Sequence, residues 1–263
     1  MVGWPVRHSR SPLIHGYWIE QYKLDADYRR EAIAPEAFAD FISHLAERGY
    51  VGANITIPHK EAALAMSEPD DRAQAVGAAN TLWYDRGRLL STNTDVEGFT
   101  ANLDACVPGW GKRAGEAVVL GAGGSARAII YGLIERGIGK INVVNRTPER
   151  AQALQALFGT VVQPVHGAAL PHLFSRTGLL VNTTSLGMTG QPPLAIDPPM
   201  HGELATVGRK HAGVFGTRII SQPLRQTAIH ALPIYIGIPG SVAVVHKPLS
   251  VEGDAGNLDE VSA

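Results

Sequence analysis

Apolar residues recur along this chain at two spacings, one helical and one extended, and the changes between them predict its elements. Residues 12–22, PLIHGYWIEQY, fit a helix with Ser11 as N-cap and Pro12 as the first helical residue. The segment 27–33, DYRREAI, reads as a strand. PEAFADFISHLAERG, residues 35–49, predicts one amphipathic helix with Phe38, Phe41, Ile42 and Leu45 on a single face and Gly49 as terminator. VGANITI, residues 51–57, predicts a buried strand ending at Pro58. Residues 80–91 form a hairpin pattern around Asp85-Arg86-Gly87. Thr94 and Glu97 match a capping box, which starts a helix at Asp95.

Near Gly109-Trp110-Gly111 the pattern resets. Residues 117–150, AVVLGAGGSARAIIYGLIERGIGKINVVNRTPER, read as strand, glycine-rich turn, helix and strand. Thr147-Pro148 caps and opens a further helix that stops at Gly159, and LLVN (179–182) is another short strand. Strand–helix alternation of this kind predicts a parallel sheet with helices on both faces. The expectation is an α/β protein of two α/β domains joined around residues 95–115. After Leu204 no helical period persists, and the last dozen residues read as a flexible tail.

Composition narrows the class. A chain of 263 residues can bury two ordinary cores, and 45% hydrophobic with 18% charged residues is globular. The formal net charge of −1 supplies no general attraction to nucleic acid or to a membrane surface, and no apolar run is long enough to span a bilayer. The N-terminus, MVGWPVRHSRSP, lacks the apolar core of a secretory signal. The single Cys106 excludes an internal disulfide framework and a cysteine metal cage, so a reducing cytoplasm is expected, with Cys106 a small buried or helix-end residue. The ten histidines are scattered without a zinc-like pair, and no metal is expected.

The glycine-rich turn carries the first chemical signal. Gly121-Ala122-Gly123-Gly124-Ser125-Ala126 follows a strand and opens a helix. Glycines there allow a tight turn and close approach of backbone N–H groups to a pyrophosphate at the helix N-terminus, and alanine is an allowed variant at the last position. The following strand ends in Asn145-Arg146-Thr147, with Arg150 one turn on, where an NAD site usually carries Asp or Glu. Two guanidiniums and a hydroxyl suit a 2′-phosphate, so NADP is favoured over NAD. The plainer alternative is that Thr147 only caps a helix and both arginines are solvated.

Four short motifs precede that turn: Ser9-Arg10-Ser11-Pro12, Asn54-Ile55-Thr56-Ile57-Pro58-His59-Lys60, Gly77-Ala78-Ala79-Asn80-Thr81 and Asn93-Thr94-Asp95. Each alone has a structural explanation, such as a cap, a turn or a helix-dipole partner. In this order, followed by GAGGSARA, NRT and the stretch Asn182-Thr183-Thr184-Ser185-Leu186-Gly187-Met188, they resemble the shikimate dehydrogenase family over residues 3 to about 190. The resemblance implies an N-terminal substrate domain (1–95), a Rossmann-type, doubly wound parallel-sheet NADP domain (96–240) and an irregular tail (241–263). It implies that Ser9 and Ser11 bind the substrate carboxylate, and that Thr56, Asn80 and the Lys60–Asp95 pair surround the ring hydroxyls. Gly121, Ala122, Gly123, Gly124, Ser125 and Ala126 would hold the diphosphate, Asn145, Arg146, Thr147 and Arg150 the 2′-phosphate. Thr184, Ser185 and Met188 would lie beside the nicotinamide. The implied reaction is reversible reduction of 3-dehydroshikimate to shikimate by NADPH, with Lys60 and Asp95 catalytic. The implied partner is this small molecule, with no nucleic acid or membrane, in a monomer or homodimer.

Two departures from the family pattern stand out. Only Met1-Val2 precede Gly3, where the family starts with a complete strand, which suggests a truncated start. After about residue 204 the family's Tyr-x-P-x-x-T segment and its G-x-x-M-L-x-x-Q helix have no clear counterpart; Ser221-Gln222-Pro223-Leu224-Arg225-Gln226-Thr227 is a faint echo of the first. The abrupt change resembles a frameshifted or chimeric end. Two alternatives to the leading function stay open at this point: a quinate/shikimate dehydrogenase using NAD, and an inactive NADP-binding relative or fragment.

Overall fold

The computed structural model describes residues 1–187, 191–194 and 196, and the backbone of 205–208, 234–238 and 241–245. The first part of the chain runs β1 (Val2–Gly3), α1 (Ser11–Gln21), β2 (Glu31–Ala32), a 3-10 turn (Pro35–Ala37), α2 (Phe38–Ser43), β3 (Gly52–Asn54), α3 (Lys60–Ala65), β4 (Glu68–Pro69), α4 (Asp71–Val76), β5 (Thr81–Asp85) and β6 (Arg88–Thr92). A four-stranded sheet has the order β3-β5-β6-β4, and β1 pairs in parallel with β2. Val2 also bridges to Ile55, just beyond β3, so the two sheets abut. Both residues are buried in a core with Phe38, Phe41, Ile42, Leu45 and Leu82.

Several elements differ from the sequence expectation, each for a local reason. The 27–33 segment pairs only over Glu31–Ala32, because β1 offers a ladder of two residues. The helix expected from Pro35 to Gly49 divides into the 3-10 turn, α2 and a run of turns in which Leu45 and Gly49 donate three residues back, to Ile42 and Ala46. Its apolar face survives, with Phe38, Phe41, Ile42 and Leu45 buried, and Gly49 ends it at φ +84°. The 51–57 strand shortens to β3, leaving Val51 exposed at its edge. Ser11 is the first residue of α1 rather than its cap; Arg10 holds the cap position, and the Ser11 N–H reaches the Ser9 hydroxyl at 3.3 Å. The hairpin forms as expected, turning through Arg86 (φ +49°) and Gly87 (φ +80°).

The second part runs α5 (Asp95–Cys106), α6 (Trp110–Arg113), β7 (Glu116–Leu120), α7 (Gly124–Glu135), β8 (Lys140–Val144), α8 (Pro148–Phe158), β9 (Val162–Val165), a 3-10 turn (Gly167–Ala169), α9 (Leu170–Phe174), β10 (Thr177–Asn182), β11 (Ala205–Gly208), β12 (Ile234–Ile238) and β13 (Ser241–Val245). Its sheet has the order β13-β12-β11-β10-β7-β8-β9. The five strands from β9 to β11 are parallel, and β12 and β13 are antiparallel. Residues 241–245, expected within an irregular tail, therefore form an edge strand; their Ser-Val-Ala-Val-Val run is rich in β-branched residues. In this doubly wound order the connections diverge between β7 and β10, and that switch point is where such sheets open a crevice at their carboxyl ends.

The core of this half includes Leu103, Val119, Ile130, Leu133, Ile141, Val143, Leu154 and Leu179. Each fully buried Leu or Ile side chain contributes about 1.5–3 kcal/mol relative to exposure. Cys106 closes α5, as expected of a helix-end residue. Val76 and Ala78 from the first half pack with Val96 and Ala128 from the second, forming an apolar seam. Among the described residues, no helix is long and apolar enough to cross a membrane, and no cluster of three metal-binding side chains occurs.

Candidate active site

The glycine-rich turn lies at the switch point. Gly121 leaves β7 at φ +103°, a region that favours glycine, and its N–H donates to Val144 O at the end of β8. A Cβ on Gly121 would stand 2.6 Å from Thr183 Oγ1 and 3.1 Å from Thr184 Cγ2, across the crevice beyond β10. Thr183 is anchored there by its hydroxyl, which donates to Leu120 O at 2.7 Å. Asn182 Oδ1 accepts from both the N–H and the hydroxyl of Thr184, which fixes the 182–186 turn. Ser185 is half-buried in that turn, and Met188 lies outside the described residues.

Gly123 caps α7 with an extended backbone, no side-chain cap and no acid in the first turn. The leading N–H groups of a helix have no intrahelical acceptor, so Gly124, Ser125 and Ala126 present donors to an anion. Ala122 and Ala126 turn their methyls into the core, and any anion contact they make is through backbone. This explains the small residue at the motif's last position: it permits close helix–sheet packing.

At the end of β8, Asn145 Nδ2 donates to Thr147 O at 2.8 Å and shapes the turn into α8. Thr147 takes the N-cap position, yet its side chain makes no capping bond, so the expected capping role is filled by backbone geometry alone. Arg146, Thr147 and Arg150 are exposed, and neither arginine forms an ion pair among the described residues. The turn, the uncapped helix and the basic strand end together fit a dinucleotide carrying a 2′-phosphate.

Lys60 opens α3 and is almost wholly buried, at 3% exposure. Its Nζ donates to Asp95 Oδ2 at 2.5 Å and to Ser125 Oγ at 3.4 Å. The lysine of the first half therefore meets the glycine-rich turn of the second. Gly124 makes this approach possible, because a Cβ there would stand 2.8 Å from Lys60 Cβ. Asp95 starts α5, but the expected Thr94–Glu97 box does not form. The Thr94 side chain makes no cap and bonds Asn80 instead, while Asn93 Oδ1 accepts the Asp95 N–H at 3.0 Å.

The remaining substrate-side candidates are joined by a chain of polar contacts. Ser9 Oγ donates to Ser11 Oγ at 3.1 Å, and Ser11 bonds the Tyr28 phenol. The Tyr28 hydroxyl donates to Asn54 Oδ1 at 2.6 Å, and Asn54 Nδ2 donates to Thr81 Oγ1 at 3.2 Å. Thr81 Oγ1 donates to Asn80 Oδ1, which also accepts from the N–H and hydroxyl of Thr94. Burial pushes the Tyr28 phenol up to about 12, against the opposing Ser11 bond, so it stays a neutral donor. Thr56 stands apart from this chain. Its N–H donates to Val2 O, its carbonyl accepts from His59, and its methyl packs against Gly3. Tyr28 carries no motif signal in the sequence, and Arg127 sits inside GAGGSARA looking like an ordinary helix residue.

A model of the shikimate dehydrogenase substrate-binding domain matches residues 1–82, and one of shikimate/quinate 5-dehydrogenases matches 111–186. A shikimate dehydrogenase (NADP(+)) of Nitrobacter hamburgensis is 60% identical over 200 residues, 76% of this chain and 70% of that protein. The chain belongs to the shikimate dehydrogenase family. A crystal structure from Thermus thermophilus in complex with shikimate superposes with a TM-score of 0.63 at 37% identity, covering 79% of this chain and 75% of that one. A Corynebacterium glutamicum quinate dehydrogenase in complex with NAD gives a TM-score of 0.62 at 28% identity, covering 74% and 73%. Membership places the chain among oxidoreductases with a Rossmann-like half and a substrate-binding half.

Proposed function

We propose that this chain reversibly reduces 3-dehydroshikimate to shikimate with NADPH. One observation carries the reading: buried Lys60 of the first half pairs with half-buried Asp95 at the start of α5 and also reaches Ser125 in the glycine-rich motif of the second half. A group that can move a proton thus sits beside the residues that would hold a hydride carrier. NADP, when bound, supplies or accepts the hydride. The chain's own residues do the rest. Lys60 Nζ gives a proton to the oxygen of the carbon being reduced and takes it back in the reverse direction, and Asp95 holds the amine in place. Ser9 and Ser11, at one end of the polar chain, receive the substrate carboxylate. Asn80 has one amide N–H left for a ring hydroxyl, since Nδ2 already donates to Thr94 Oγ1 once and its oxygen is engaged by Thr81 and Thr94. Thr56 lies at the entrance to α3 as a further hydroxyl donor. Thr184 and Ser185 border the nicotinamide end of the crevice. Arg146 and Arg150, aided by Asn145 and Thr147, hold the 2′-phosphate, because guanidinium forks match phosphate oxygens.

The test is one assay: purified protein, shikimate, and NADP or NAD, followed by the absorbance of the reduced cofactor, with Lys60→Ala alongside. Turnover with NADP that Lys60→Ala abolishes while NADP affinity persists is the expected result. Turnover only with NAD overturns the cofactor assignment. Cofactor binding without wild-type turnover identifies an inert module.

A further inference from the structure

We propose that Arg127 is a positioning residue for Lys60, fixing through Glu61 and Gly77 how far the lysine amine stands from the glycine-rich turn. The proposal rests on the reading of Lys60 as the proton-handling group. Arg127 lies in the first turn of α7, two residues beyond Ser125. Its Nη2 donates to Glu61 Oε2 at 3.2 Å, and Glu61 is the residue after Lys60 on α3. On its other side, Nη1 lies 2.8 Å from where a Cβ on Gly77 would stand. Gly77 ends α4 at φ +71° and leads through Ala78 to Ala79, whose N–H donates to Lys60 O at 2.9 Å. One guanidinium therefore bonds the side chain next to Lys60 and lies over the glycine turn that leads to Ala79.

The arginine side of the contact is mostly covered, with Arg127 18% and Glu61 48% exposed, and Arg127 Nε lacks a hydrogen-bond partner among the described residues. A side chain kept this dry with one nitrogen unsatisfied is poorly explained as surface decoration, since leaving a buried donor unmade is unfavourable. Its geometry instead matches a spacer. Guanidinium is planar and rigid, whereas a lysine stem is flexible, so the amine goes where α3 is held relative to α7. Losing the spacer lets α3 drift from α7 and carries Lys60 Nζ away from Ser125.

The experiment compares wild type with Arg127→Met, Arg127→Lys and the charge-swapped pair Arg127→Glu with Glu61→Arg. The first readout is independent of turnover: the rate at which an amine-acylating reagent modifies Lys60 across pH, followed by peptide mass spectrometry. The second is kcat against KM with shikimate and NADP. Arg127→Met is expected to raise Lys60 acylation severalfold and lower kcat roughly 10- to 100-fold, leaving NADP affinity unchanged, as for a displacement of up to about an ångström. Arg127→Lys, which keeps the charge and loses the fork, is expected to fall between. The swapped pair, which restores the ion pair but not the approach to Gly77, is expected to recover part of the wild-type acylation rate. Wild-type acylation and kcat in Arg127→Met overturn the proposal, as does a folded swapped pair that stays as reactive as Arg127→Met. If Arg127→Met does not fold, the swapped pair decides alone. Absence of turnover in the wild type would count against the proposed reaction, and the acylation rates would still decide the role of Arg127.

Discussion

Gly124 offers a sharp test of how the two halves meet. Replacing it with alanine adds one methyl carbon, 2.8 Å from Lys60 Cβ and 3.3 Å from Lys60 Cδ. Carbon atoms settle at about 3.5–4.0 Å, so α3 and α7 must separate by about 1 Å at this point. No backbone strain confuses the result, because Gly124 has no positive φ. Alanine improves helix propensity by up to about 1 kcal/mol, while overpacking costs about 1–3 kcal/mol, so the net loss of stability is about 0–2 kcal/mol. The functional loss is expected to be larger, because a displacement of about 1 Å at reacting groups can lower turnover roughly 100-fold. The assay is the initial rate of NADP reduction with shikimate, alongside thermal unfolding and NADP titration. A Gly124→Ala protein that keeps the wild-type rate would refute the claim that close contact at this seam sets the position of Lys60.

Other outcomes follow from the same contacts. Arg146→Ala with Arg150→Ala is expected to weaken NADP binding while leaving NAD binding unchanged; each lost charged hydrogen bond is worth about 1.5–3 kcal/mol. Titration calorimetry with both cofactors checks this, and equal losses for the two would place the arginines away from the 2′-phosphate. His59 is buried, stacked on Phe38 at 4.3 Å, and bonded through Nε2 to Ile33 O at 2.7 Å. Burial lowers its pKa, against the raising effect of the Ile33 bond. The folded protein therefore binds fewer protons than the unfolded chain just below the ordinary histidine value of about 6.5, and stability present above that value is lost as pH falls through the folded pKa. Urea unfolding across that window is expected to show an acid-side loss that His59→Gln flattens; an identical slope in the variant would assign the loss to other groups.

Much of the site was legible because its signals are short-range. The strand–turn–helix reading of 117–135 placed the turn correctly, since glycine spacing and helical period are properties of adjacent residues. The buried face of Phe38, Phe41, Ile42 and Leu45 was likewise visible, although the helix carrying it broke up. Thr94 and Thr147 hold the N-cap positions expected of them and Ser11 lies one residue inside its helix, but the capping bonds differ from the expectation. Ser11, Thr94 and Thr147 are all plausible caps by residue type, yet none makes a side-chain capping bond. A hydroxyl has several acceptable partners, and the one it takes depends on what packing brings near. For Thr94 that partner is Asn80, fourteen residues away.

The sequence by itself determined the periodicity of two α/β halves, the glycine-rich turn and the basic strand end, because each depends on residues within a few positions of one another. Only the tertiary structure decided which side chains face one another across the seam. It brought Lys60 to Asp95 and to Ser125, which lies 65 residues further along the chain, linked Ser11 through Tyr28 and Asn54 to Asn80, and set Arg127 against Glu61. The contacts across the seam depend on how closely Gly124, lacking a side chain, lets α3 approach α7, a spacing that no local pattern records.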